Sequence, residues 1–210
     1  MLIYNRMGKV EIYINNLSGN FKEINFASLS NTCKTKGCLI DSSCIIYLDK
    51  IFLLSDLVIN FNIKTIKQVL IEVLSNNKKM INDTQIINSI QIIKLPETEF
   101  SELKERLLTK IPERFKSKLS EVDINLLISS IFFNIPIFTD DGIISKICKN
   151  LDFAYYNSLI VPLILLFNDI ISEKDAINKL FQLSKIGRYS LEIFDFAISS
   201  LEKIVKNNKI

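Results

Sequence analysis

Acidic side chains at four well-separated places in this sequence have the chemistry to hold a hard divalent cation. Leu119-Ser-Glu-Val-Asp123 opens an apolar run to Asn134, and Ile135-Pro-Ile-Phe-Thr139-Asp140-Asp141-Gly142 follows. This reads as an acidic helix start, a buried helix, a short buried strand and an acidic strand end. Upstream, Asp41 ends the apolar stretch Cys38-Leu-Ile, and Glu72 lies beside an apolar stripe at positions 66, 69, 70, 73 and 74. Ligand sites in open parallel sheets collect at strand ends. Carboxylates brought to one such edge repel one another unless cations sit between them, and Mg²⁺ and Mn²⁺ favour carboxylate and water oxygens.

Each acid also has a purely local reading. Asp123 follows Ser120 by three residues with Leu119 before it, the pattern of a capping box with Asp in place of the usual Glu or Gln. Glu121 lies two residues away and faces elsewhere on that helix. Asp140 and Asp141 fall between a strand and a helix, where an N-cap is expected, so one can cap while the other binds. Asp41 can cap the helix it precedes, and Glu72 alone reads as a surface helix residue.

Composition narrows the chemistry. The 210-residue chain has no His, which removes His general bases, His-ligated zinc and Ser-His or Cys-His dyads. Its four Cys, at 33, 38, 44 and 148, form no C-x-x-C pair. Cys44 and Cys148 sit in apolar runs and read as small buried hydrophobes. Cys33 and Cys38 are near enough to bridge, but the absence of an export signal leads us to expect free thiols in a reducing compartment. A hydrophobic fraction of 48% supplies a sizeable core, and a net charge of only +3 rules out a global polycation. The longest apolar run, Leu159 to Phe167, contains Pro162 and is far shorter than the ~20 residues of a membrane span. The expectation is a soluble, cytoplasmic protein that does not enter membranes.

The elements that must position the acids alternate along the chain. Residues 9–15 alternate at period two and, with Phe21 to Phe26, read as a hairpin in a separable N-terminal extension, residues 1–32. The main domain would occupy residues 33–210. There the pattern predicts a strand at 38–40, a helix from Ser42 through Leu54, a short strand or turn at 57–61 and a helix over 64–74. A strand at 90–95, a helix over 97–110 and a basic loop at 110–118 follow. Beyond the acidic stretch come a helix over 143–151, a strand at 153–156 and further helices from Ser158 to Val205. This is an α/β fold with a mainly parallel central sheet between helical layers, a three-layer α/β/α sandwich.

Four segments in order resemble the PIN domain, the fold of many metal-dependent ribonucleases: Cys38-Leu-Ile-Asp41-Ser-Ser-Cys-Ile-Ile, Val69-Leu-Ile-Glu72-Val73, Leu119-Ser-Glu-Val-Asp123 and Ile137-Phe-Thr139-Asp140-Asp141. The four acids are separated by 31, 51 and 17 positions. The resemblance covers roughly residues 37–153, and the later helices, with the Gly187-Arg-Tyr-Ser190 turn, are similar to those of some PIN subgroups. It implies a metal-dependent endoribonuclease that hydrolyses single-stranded RNA with Mg²⁺ or Mn²⁺ on Asp41, Glu72, Asp123 and Asp140, with Asp141 the alternate at the fourth place. Ser42 and Thr139 would hydrogen-bond carboxylates or metal water. It also admits an antitoxin or other inhibitor protein, a homodimer, or a weakly active scaffold as the working form. Lys34 and Lys36 before the Asp41 strand, and Lys110, Arg114, Lys116 and Lys118 around Phe115, are candidates for a basic RNA-binding lip or simply for solvated loops.

Overall fold

The structure is a computed structural model that describes residues 24–76 and 82–207, with the strands β1 (Leu17–Ser18) and β2 (Asn20–Phe21). These two strands pair antiparallel. The strand expected at residues 9–15 lies outside the described residues. Its expected partner does not run on to Phe26, because Asn25 caps a helix, α1 (Phe26–Thr35), by accepting from Ser28 N. Phe26, Leu29 and Cys33 recur at three- and four-residue spacing and are buried, so helical periodicity governs this stretch.

Gly37 turns α1 into β3 (Cys38–Ile40) at φ +96°, a conformation that side-chain-bearing residues rarely adopt, and an added Cβ would lie 2.6 Å from the Asn62 carbonyl. Gly37→Ala is therefore expected to cost about 1–3 kcal/mol of unfolding free energy by denaturant titration. The turn also brings the Cys33 and Cys38 Cα atoms to 5.1 Å, and the two residues form a disulfide. The expectation of free thiols at these positions is thus corrected, whereas Cys44 and Cys148 are free and buried.

After β3 come α2 (Ser42–Lys50), α3 (Leu54–Asn60), β4 (Ile63–Ile66), α4 (Lys67–Asn76), α5 (Thr84–Ser89) and β5 (Gln91–Ile93). The short strand or turn expected at 57–61 is part of helix α3, whose Leu54 and Leu57 are buried one turn apart. The strand lies instead at Ile63–Ile66, where a helix was expected to begin. β4 runs into α4 without a loop, and the helical spacing of α4 masked the short alternation before it. Next come α6 (Glu97–Lys110), α7 (Glu113–Lys116), α8 (Glu121–Phe133), β6 (Ile137–Phe138), α9 (Gly142–Asn150) and β7 (Tyr155–Tyr156). α10 (Ile160–Phe167), α11 (Glu173–Ile186) and α12 (Leu191–Asn207) complete the described chain.

The five strands form one all-parallel sheet in the order β5-β4-β3-β6-β7. Cys38, Leu39, Ile40, Ile137 and Phe138 are fully buried, as expected for central strands of a parallel sheet covered on both faces. Within this sheet the path starts at β3, steps outward to β5, then returns to the other side of β3. The order therefore reverses between β3 and β6, and the crevice outside their carboxyl ends is where open α/β sheets bind ligands. The Leu159–Phe167 run supplies α10, buried over Ile160–Leu166, with Pro162 in the first turn, where its missing N–H costs no helical bond. Among the described residues no helix is long and apolar enough to cross a membrane.

Candidate active site at the sheet switch point

Asp41, Asp123 and Asp140 reach the carboxyl edge by different routes. Asp41 is the first residue after β3, and Asp140 stands two residues beyond β6. Asp123 arrives from the opposite direction. α8 ends just before β6, so it runs back along the sheet and its first turn lies at the carboxyl edge. The Ser120–Asp123 capping box is complete, with Ser120 N donating to Asp123 Oδ2 at 2.8 Å and Asp123 N to Ser120 Oγ at 3.1 Å.

Asp41 is 5% exposed. Its Oδ1 accepts from Ser42 N at 2.6 Å, with Ser42 Oγ at 3.3 Å. Its Oδ2 accepts from Ser43 Oγ at 2.9 Å and from Thr139 Oγ1 at 2.8 Å. Two of these hydroxyls tie the strand ends together. Ser43 Oγ accepts from Asp140 N at 3.2 Å, and the fully buried Thr139 Oγ1 accepts from Asp141 N at 3.1 Å. Burial pushes the Asp41 carboxyl up to about 6, against the pull of these donors, and the negative charge of Asp123 pushes it further the same way. No basic side chain pairs with Asp41, Asp123 or Asp140 among the described residues.

Asp140 is held from the other side. Its Oδ1 accepts from Ser158 N at 3.1 Å and from Tyr189 Oη at 2.8 Å, while Ser158 Oγ bonds Oδ2. Burial raises its pKa, which those donors oppose. Ser158 Oγ also lies 3.0 Å from Cys44 Sγ, and burial with the nearby Asp140 charge keeps that thiol protonated. Tyr189 is likewise held neutral by burial and by Asp140. Asp141 is the N-cap of α9, its Oδ1 accepting from Ile143 N and Ile144 N. Of the adjacent pair, then, Asp141 caps and Asp140 faces the hydroxyls.

Glu72 sits on α4, half-buried beside Val69 and Val73, and α4 packs against α2. Among the described residues no hydrogen bond or ion pair ties it to the other acids, and no three acidic or Cys side chains already converge as a metal cage. The donor set nevertheless suits a hard cation. Among the described residues Asp41 and Asp123 repel one another without a compensating charge, and Asp123 Oδ1 and both Glu72 oxygens carry no protein donor; Mg²⁺ commonly takes only one or two protein carboxylates and keeps several waters.

The basic candidates divide between the two sheet edges. Lys34 Nζ donates to Asn168 Oδ1 and lies 5.6 Å from the Phe61 ring centroid. The Lys36 carbonyl accepts from Lys64 Nζ. Both residues precede β3 and so stand at the amino edge, the full strand length from Asp41. Arg114, stacked 4.9 Å over Phe115, and Lys116, paired with Glu113 at 2.8 Å, precede the α8 first turn instead, as does the exposed Lys118.

Sequence reasoning passed over Ser43, Ser158 and Tyr189. Ser43 was hidden beside Ser42, and Ser158 and Tyr189 meet Asp140 across 18 and 49 positions with no periodic signal. One glycine does bear on Tyr189. A Cβ on Gly187 would lie 2.6 Å from the Tyr189 Cζ. Gly187→Ala is expected to displace that ring and cost about 1–3 kcal/mol, more than Tyr189→Phe, which removes a single hydrogen bond worth about 1 kcal/mol. Paired denaturation curves of the two variants provide the check. Comparison with protein-family models, with curated proteins and with solved structures yields no match to this chain.

Proposed function

We propose that the chain is a PIN-like, metal-dependent endoribonuclease acting on single-stranded RNA, built as a three-layer α/β/α sandwich. The reading rests on the motif resemblance. The observation that carries it furthest is Asp41 at the β3/β6 switch point, raised in pKa first by burial and further by the charge of Asp123, with no basic partner among the described residues. Asp41, Glu72, Asp123 and Asp140 would hold Mg²⁺ or Mn²⁺, with Asp141 the alternate. Bound there, the cation supplies a water of lowered pKa and charge stabilisation for the scissile phosphate.

The chain's own part is positional. Ser42 N, Ser43 and Thr139 fix the Asp41 carboxylate, and Ser158 and Tyr189 fix that of Asp140. Such outer hydrogen bonds orient ligating groups and narrow their rotamers. Arg114, Lys116 and Lys118, beside the α8 first turn, would meet the RNA backbone.

The test is thermal melting with added Mg²⁺ or Mn²⁺, run alongside cleavage of a single-stranded RNA. A ligand that binds only the native state raises the midpoint, by about 2.7 kcal/mol of stability at a hundredfold excess over Kd. An unmoved midpoint with both metals, together with intact RNA, leaves a PIN-like scaffold as the better reading.

A further inference from the structure

Beside Asp140, between α9, β7, α10 and α12, lies a cavity of about 340 Å³. That is at the lower end of the ~300–1,000 Å³ typical of small-ligand pockets. We propose that it is the seat of one nucleoside monophosphate unit of a single-stranded RNA, the nucleotide adjoining the one held at the carboxylates. The choice of RNA rests on the nuclease reading, while the pocket's chemistry stands on its own residues.

The lining divides by chemistry. Lys146 and Lys149 stand three residues apart on one face of α9, both exposed, and Arg188 reaches the cavity from the turn between α11 and α12. None of the three makes an ion pair among the described residues. The acid in the lining, Asp140, is already engaged by Ser158 and Tyr189. The balance of charge therefore favours an anion. The lining also carries Tyr155, Tyr189 and Phe196 with aliphatic neighbours from α10, apolar surface of the kind on which a base packs whatever its identity. Asn157 follows β7 at the rim, and its Oδ1 accepts from Leu159 N at 3.1 Å, leaving its amide N–H₂ for an acceptor on a base edge.

Position links this pocket to the carboxylates. Thr139 and Asp140 belong to both, and with Asn157 they follow the carboxyl ends of β6 and β7, next to the β3/β6 crevice. A strand laid across that edge would meet Asp41 with one phosphate and Lys146 and Lys149 with a neighbouring one.

The test is titration calorimetry in EDTA with a non-cleavable 2′-O-methyl RNA octamer, with uridine and adenosine 5′-monophosphates in parallel, on wild type, Lys146→Glu/Lys149→Glu and Phe196→Ala. The lysines are exposed, so the charge reversal is compatible with folding, checked by melting. The octamer is expected to bind the charge-reversal variant at least tenfold more weakly, with the log-log salt slope shallower by ~1.4 for two lost contacts at ~0.7 each. Phe196→Ala is expected to weaken binding about tenfold with the slope unchanged. Octamer affinities equal in all three proteins, or no octamer binding by wild type, overturn the proposal. Monophosphates bound as tightly as the octamer overturn the strand assignment in favour of a free nucleotide. The nuclease reading fails separately. Pocket-dependent octamer binding without Mn²⁺-dependent cleavage sinks the enzyme and keeps the pocket, and cleavage with unaltered binding in the variants does the reverse.

Discussion

Asp41→Asn is expected to stabilise the metal-free protein at pH 7.5 while abolishing the metal-induced melting shift and the RNA cleavage that the proposed function calls for. The native carboxyl titrates near 6, against 3.8 for the free group, because it is buried and faces the charge of Asp123. The native state therefore holds this proton more tightly than the unfolded chain does. The associated stability is fully present below about pH 4 and is lost as pH rises through about 6, a change of about 3 kcal/mol for a shift of roughly two units. Asn keeps the side chain's shape and carries no charge. Its carbonyl can take the Ser42 amide, and the Ser43 and Thr139 hydroxyls can rotate to accept from its N–H₂. A gain of about 2 kcal/mol at pH 7.5 is expected, after allowing for weaker neutral hydrogen bonds. Denaturant titrations of both proteins at pH 4.5 and 7.5 read this directly. A variant less stable than wild type at both pH values makes Asp41 a structural cap rather than a strained ligand.

Thr139→Val should cost about 3 kcal/mol, since it removes two hydrogen bonds, one of them to a carboxylate. The valine fills the same space, but Asp41 Oδ2 loses a donor and Asp141 N loses its acceptor at a position with no exposure. The Thr139 hydrogen bond is the strongest influence lowering the Asp41 pKa. Its loss moves that pKa up, and the pH-dependent fall in stability extends to higher pH than in wild type. Thr139→Ser restores the hydroxyl and should recover most of the loss and the original pH profile. Equal stability of the Val and Ser variants would mean that packing, not the hydroxyl, is what this position supplies.

The two substitutions probe opposite sides of one arrangement. Asp41 is a charge held where charge is costly, and Thr139 is one of the groups that make the cost bearable. Keeping such a group in the core, with no basic partner among the described residues, gives up stability at neutral pH, which the proposed cation would restore.

What the sequence settled by itself was local. Asp41, Ser120 with Asp123, and one of the pair Asp140 and Asp141 were legible as helix caps, because a cap needs only a side chain and the amides one to three residues on. The buried strands at 38–40 and 137–138 were legible as short apolar runs ending in acids, and the alternation of elements was enough for an α/β fold with parallel strands. Where one element ran into another without a loop, as at Ile63–Lys67, local pattern misassigned both strand and helix. Only the tertiary structure decided that β6 lies beside β3, which makes Asp41 and Asp140 neighbours although they stand 99 positions apart in the chain. It alone turned Asp140 toward Ser158 and Tyr189, joined Cys33 to Cys38, and sent Lys34 and Lys36 to the far edge of the sheet. Capping and periodicity act over one helical turn. Strand order, side-chain convergence and the raised pKa of Asp41 come from packing and desolvation summed over the whole core, which no stretch of the chain contains alone.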